Sequence, residues 1–283
     1  MLKKIVLILL MTAQANLMAQ RLHLGLFGGV SAYNGDLTDK FFPKKVSNGV
    51  IGITASYELR DQFFIRSGLS YTVVGGADRY NKKPDLVLRN LSFETSIVEL
   101  SFSGEYYLRN LYSYRISPYA FAGLAVYRFN PYTYDGTGGK VFLKPLSTEG
   151  QGLTGYTVKP YSLTQLAIPF GGGIKYRIND KLRLGLELGL RKLFTDYLDD
   201  VSGNYADEAD LLTQRGPASV ALSYRSDEAG GSFLYPAKGA QRGSPKYKDI
   251  YYFTGLHLTY RIIPAVGGDP MRKNRNGCPV NVY

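Results

Sequence analysis

Residues 181–191 read KLRLGLELGLR, so Leu182, Leu184, Leu186, Leu188 and Leu190 alternate with Arg183, Gly185, Glu187, Gly189 and Arg191. A period of two places the leucines on one face and the charges and glycines on the other, as in a strand with one apolar and one polar side. On a helix the two sets would mix. The same alternation runs through 51–60 and 98–109, and less cleanly through 22–32, 63–73, 117–129, 168–178 and 250–262. Eight strands are predicted.

Their connections sort by length. Only Asp61 and Gln62 separate the second and third strands, 110–116 the fourth and fifth, and Asn179 and Asp180 the sixth and seventh. The remaining links, 33–48, 74–96, 130–165 and 192–249, are long, and long and short alternate throughout. A soluble sandwich would turn the apolar faces toward a second sheet, but Greek-key connections would not sort in this way. The pattern predicts an all-β fold, an eight-stranded antiparallel up-and-down transmembrane β-barrel with long extracellular loops and short periplasmic turns. An even strand number puts both termini on the periplasmic side.

The chain begins with Lys3 and Lys4, an apolar run over 5–11 and then small and polar residues, as a secretory signal requires. The run is too short to span a bilayer. Cleavage fits between Ala19 and Gln20, although Leu17 is a poor residue three before the cut and 13–15 (Ala-Gln-Ala) offers an alternative. The predicted division is a signal peptide at 1–19, a barrel at 20–263 and a periplasmic tail at 264–283. Cys278, the single cysteine, has no internal disulfide partner. The 24 tyrosines and 14 phenylalanines, with no tryptophan, suit the aromatic girdles of a barrel. The net charge of +11 does not point to nucleic acid. Its excess sits in loops and tail (Lys44, Lys45, Lys82, Lys83, Arg272, Lys273, Arg275) rather than on one face, which favours anionic outer-membrane lipids as its partner.

Eight strands leave an interior with room for side chains and little else. Its predicted charges are Glu58, Arg66, Glu99, Glu105, Lys175, Arg177, Arg183, Glu187, Arg191 and Arg261, a mixture of signs able to pair across the lumen; a charged conduit is the alternative. His23 and His257 also point inward. They fall on the first and last strands, neighbours in a closed barrel, where a contact between them is plausible, and each is placed near the periplasmic end. Barrel enzymes need an accessible histidine near a nucleophile. A packed lumen supplies neither, so no enzyme is expected and no cofactor is implied. The acidic stretch Asp196, Asp199, Asp200, Asp207, Glu208 and Asp210, with Asn204, offers oxygen ligands suited to calcium but no EF-hand spacing; a solvated or turn-forming loop is the stronger reading. Gly171-Gly172-Gly173 lies within a strand and precedes no helix, so it relieves crowding in the barrel rather than cradling a nucleotide.

Four segments carry a resemblance: 33–37 (YNGDL), 118–123 (PYAFAG) leading to 129–131 (FNP), 146–152 (LSTEGQG) and 191–202 (RKLFTDYLDDVS). Spread over most of the mature chain, they resemble the PorG-like outer-membrane barrels of the type IX secretion system. The resemblance implies association with a PorK-like lipoprotein and a PorN-like periplasmic ring protein, and a part in secreting proteins to the cell surface. On that footing the tail residues Arg272, Lys273 and Arg275, with the turns around Asp61, Asn110 and Asp180, are the predicted partner-binding residues. A passive structural or small-solute barrel is the alternative.

Overall fold

The computed structural model describes residues 21–38, 46–231, 234–246 and 248–262. The predicted signal peptide and tail, with Arg272, Lys273 and Arg275, lie outside these residues. The described strands are β1 (Leu22–Asn34), β2 (Asn48–Arg60), β3 (Phe63–Ala77), β4 (Ser92–Tyr107), β5 (Ile116–Arg128), β6 (Pro131–Tyr134), β7 (Lys140–Phe142), β8 (Thr164–Arg177), β9 (Leu182–Leu193) and β10 (Ile250–Arg261).

Eight of them form the wall in the order β3-β2-β1-β10-β9-β8-β5-β4, and a β3–β4 pairing closes the ring. Every neighbouring pair is antiparallel, including the seam between first and last strands, where Phe27 faces His257. A closed ring leaves no unpaired edge in the wall, the condition for strands in hydrocarbon. The eight predicted strands are all present. Their outer faces carry Ile51, Leu124 and Leu186, each more than half exposed, while Arg183, Glu187 and Arg191 on the other face of β9 are buried. So large an exposed apolar band is stable only against lipid.

The long connections are more ordered than the alternation predicts. Gly75 and Gly76 interrupt the pattern, yet the β3–β4 hairpin continues to Ala77↔Ser92, and β6 and β7 add to β4 through Glu94↔Tyr132. Three short helices follow: α1 (Pro84–Arg89), α2 (Glu208–Arg215) and α3 (Pro217–Ser223). Proline opens α1 and α3, where no backbone donor is needed, and Asp207 caps α2 by accepting from the amides of Ala209 and Asp210. The acidic stretch therefore divides. Asp207, Glu208 and Asp210 start a helix, whereas Asp196, Asp199 and Asp200 are buried. Asp199 and Asp200 shape turns, the first accepting from the Val201 amide and the second donating its amide to the Tyr197 carbonyl, so the turn-forming reading holds and the solvated one is corrected.

Side chains fill the barrel in layers. Phe64, Tyr107, Leu111, Tyr119 and Phe121 pack at the end bearing the short turns. Charged residues occupy the middle. A larger cluster including Tyr33, Phe93, Tyr127, Phe129, Tyr251 and Phe253 fills the end bearing the long loops, and Leu153, Ala206, Leu211 and Val220 form a separate small core in the cap above it. The strand glycines make this filling possible. A Cβ on Gly171 would lie 2.1 Å from the Leu188 carbonyl oxygen and 3.0 Å from the Phe121 ring, and one on Gly173 would lie 2.9 Å from the Tyr119 ring.

Candidate functional site

At the turn end the β4–β5 connection folds back across the barrel mouth. Leu111 is buried, and Tyr112 Oη donates to Glu58 Oε2 at 2.5 Å, with the guanidinium groups of Arg183 and Arg261 over its ring at 5.2 and 5.4 Å. His23 Nε2 reaches the same Glu58 oxygen at 3.3 Å. This plug closes one end. Of the predicted contact residues on this side, Asn110 Nδ2 donates to Asp61 Oδ2 at 2.7 Å, so two of them meet, while Asp180 sits on another turn beside Arg177. The plug itself is absent from the sequence reading, although a seven-residue link holding Tyr112 and Tyr114 is longer than a hairpin needs.

In the middle, Arg66 Nη1 stands 2.8 Å from Glu105 Oε1 and 2.7 Å from Glu187 Oε2, and Tyr119 donates to the same Glu187 oxygen at 2.6 Å. Higher up, the Arg191 guanidinium donates twice to Glu99, which also accepts from Tyr251 Oη at 2.6 Å. The predicted cross-lumen pairing is thus present. Arg177 sits instead at the mouth, with Asp180.

The histidines do not touch. His23 is level with Arg261 and His257 with Phe27, four residues further along β1, because β1 and β10 pair end to end and His257 stands four residues in from Arg261. His257 therefore lies well inside the barrel rather than near the turn end. Its Nε2 is 2.9 Å from Thr54 Oγ1 and its Nδ1 3.7 Å from Glu187 Oε2, an arrangement that superficially matches a nucleophile, base and acid. The donors decide otherwise. Arg66 Nη1 and Lys175 Nζ approach Nδ1 at 3.4 and 3.5 Å, so Nδ1 accepts and we assign the proton to Nε2, which donates to Thr54. In that tautomer His257 has no free lone pair to take the Thr54 proton. The adjoining cavity, about 40 Å³, has room for little more than a single water and is too small for a substrate.

Glu105, Glu187 and His257 form the one group of three metal-capable side chains among the described residues whose ligand atoms lie within 4.8 Å of one another. Arg66 already bridges the two carboxylates. An internal cation thus takes the place a metal would fill. Asp196, Asp199 and Asp200 do not converge on a common point. Asp199 accepts from Tyr33 and the Val201 amide, Asp200 from Thr148 and Tyr161, and Asp196 from Ser202.

The loop end is closed by a hydrogen-bonded cap. Arg242 Nη1 donates to Glu149 Oε1 and to the Asp200 carbonyl at 3.0 and 2.6 Å, while Glu149 also accepts the amides of Ser202 and Gly203. Arg89 binds Asp78 through two nitrogens and the Arg242 carbonyl through a third. Tyr33 Oη contacts both Asp199 and Asp249. Burial pushes Asp196 and Asp200 up to about 6, and burial holds Asp199 and Asp249 well above the usual carboxylate range, helped by repulsion from Asp249 on Asp199 and from Asp196 on Asp249. Three of the four segments that carry the resemblance, 33–37, 146–152 and 191–202, supply this network. Arg242 and Asp249, two further partners, sit in a connection that the sequence shows only as long and polar.

A closed eight-stranded membrane barrel, plugged at one end and capped at the other, is the class of protein these features define. Residues 2–215, more than half of the chain, match the family described as Domain of unknown function (DUF6089), and the protein belongs to that family. No curated protein matches it. Among solved structures, the chain is similar to Neisserial surface protein A at 10% identity, covering 85% of this chain and 96% of that one with a TM-score of 0.41. It is similar to OprG from Pseudomonas aeruginosa at 11% identity, with coverage of 86% and 97% and a TM-score of 0.41. The Ail protein of Yersinia pestis gives 7% identity, coverage of 84% and 96% and a TM-score of 0.40. Identities so low transfer no function.

Proposed function

We propose that the protein is a non-enzymatic outer-membrane component of a protein secretion machine of the type IX kind, anchoring periplasmic ring proteins to the membrane. The turn end and both termini face the periplasm in this reading, because short turns lie on that side in outer-membrane barrels. The observation that carries it is the double closure of the lumen. A barrel sealed by Tyr112 below and by the Arg242–Glu149 network above offers surfaces rather than a conduit or a reaction chamber. The resemblance to PorG-like barrels supplies the partners, a PorK-like lipoprotein and a PorN-like ring protein, and the turns with Asp61, Asn110 and Asp180 and the tail with Arg272, Lys273 and Arg275 supply the contact.

Purification of the native envelope complex through this chain tests the reading. Recovery of the ring lipoprotein is expected, and deletion of 271–283 should reduce it while leaving an inserted, heat-modifiable barrel. Recovery unchanged by the deletion moves the contact to the turns. No recovery from the intact chain rejects the assembly role and leaves a passive structural barrel.

A further inference from the structure

The turn end carries a charge pattern that the membrane does not require. Arg21, Arg60, Arg109, Arg115, Arg177 and Lys181 surround the mouth, and all but the half-buried Arg177 are exposed. The exposed acidic residues among them are Asp61, which accepts from Asn110, and Asp180, which pairs with Arg177. Among the described residues, no other ion pair involves this ring.

Five of the six basic residues occupy positions that continue the lumen-facing register of their strands, whereas Arg60 follows a register shift after Glu58 and stands opposite the outward-facing Phe63. Arg21 precedes lumen-facing His23 by two, Lys181 precedes Arg183 by two, and Arg109 follows Tyr107 by two. The positions of opposite parity at the same level are apolar and exposed: Leu59, Leu108, Ile116 and Ile178. Strand side chains alternate sides, so this register sets the basic crown over the mouth and away from the lipid belt. A site for lipid headgroups would place its cations among the outward residues instead. Arg109 also lies over the ring of Tyr114 at 5.6 Å, and Tyr114 is itself exposed. Exposed arginine and tyrosine together are the anchors protein interfaces favour.

We infer that this crown is the docking face for an acidic surface of a periplasmic protein, steered by charge and anchored around Arg109 and Tyr114. The inference rests on the assembly reading for its side of the membrane and names the chemistry of the partner's contact. It also predicts strong salt dependence, because exposed charges are screened over roughly 8 Å at physiological ionic strength.

The test uses the full-length protein in phosphatidylcholine nanodiscs, a fluorescent peptide of aspartate and glutamate as probe, and a variant with Arg21, Arg109, Arg115 and Lys181 each changed to Glu. A variant with the same four positions changed to Gln controls for reversal itself, and heat-modifiable migration reports folding in both. The intact protein is expected to bind with an affinity that falls as salt rises. Reversal should weaken binding by about tenfold or more, with the Gln variant between. Equal binding by the intact and reversed proteins overturns the inference. So does an intact protein that ignores the peptide yet gains affinity for discs containing phosphatidylglycerol through the same residues, which would assign the crown to lipid. In the envelope, a ring protein that co-purifies equally with the reversed variant defeats the crown and spares the assembly reading. Crown-dependent peptide binding with no ring protein recovered from the intact chain does the opposite.

Discussion

Tyr33 Oη donates to Asp199 Oδ2 across 2.5 Å, joining the top of β1 to a residue 166 positions later. The same hydroxyl lies 3.1 Å from Asp249 Oδ1. A phenol has one proton to give, so when Tyr33 donates to Asp199 the second contact requires Asp249 to carry a proton and donate in return.

That arrangement fixes a pH dependence for the cap. Asp196, Asp199, Asp200 and Asp249 all have carboxyls raised by burial above the values they take in an unfolded chain. Groups raised in the fold bind more protons there, so their contribution is complete below about pH 4 and is lost as pH rises through the folded values. For Asp196 and Asp200 those values are about 6. Hydrogen exchange of 196–202 should therefore quicken as pH rises from 4 to 8, after correction for intrinsic rates. Asp249→Asn should flatten the dependence. A cap that grows more protected over this range would contradict it.

Tyr33→Phe removes the donor between two buried carboxylates and should cost about 1–3 kcal/mol of cap stability, without affecting barrel insertion. Proteolysis of the loop end, compared with heat-modifiable migration, separates the two effects.

Leu186→Arg places a charge on the lipid face and should cost about 2–4 kcal/mol near mid-membrane. Its neighbour Gly185 faces the lumen, where an added Cβ would lie 3.1 Å from Lys175 Cε, so size rather than charge is limiting. Gly185→Ala should be tolerated and Gly185→Leu should not. Equal tolerance of Arg at 185 and 186 in a denaturant titration would show the faces to be reversed.

Arg66→Met strands Glu105 and Glu187 in the lumen and should cost about 3–5 kcal/mol. Adding Glu105→Gln and Glu187→Gln should recover much of that loss, which a mutant cycle in detergent would measure. A single-variant cost near zero would mean that water, rather than Arg66, serves the two carboxylates.

His23→Gln with His257→Gln should leave the cellular role intact in a protein that still folds, since His257 donates to Thr54 rather than activating it. Loss of function with normal insertion would return catalysis to consideration.

The wall was legible in the sequence because a period of two records which side each residue faces, and KLRLGLELGLR states both sides without ambiguity. The cap was not, because its bonds join residues far apart in the chain: Tyr33 to Asp249 spans 216 positions and Arg242 to Glu149 spans 93. No local period encodes such pairs. The buried aspartates read as a polar loop for the same reason, since their burial depends on partners supplied by other loops. The His257 depth was missed because the strand pairing, rather than the alternation within β10, shows it four residues further in than His23, which faces Arg261. Tyr112 left only an indirect trace, a turn longer than its strands needed.

The central claim is that the turn end meets the machinery while the capped end does not. A photoactivatable residue placed in living cells at Asp61, Asn110 or Asp180, and separately at Leu212 in the cap, tests it most directly. The account predicts crosslinks to a periplasmic ring protein from the turn positions and none from Leu212. Crosslinks to that protein from Leu212 alone would contradict both the orientation and the docking role.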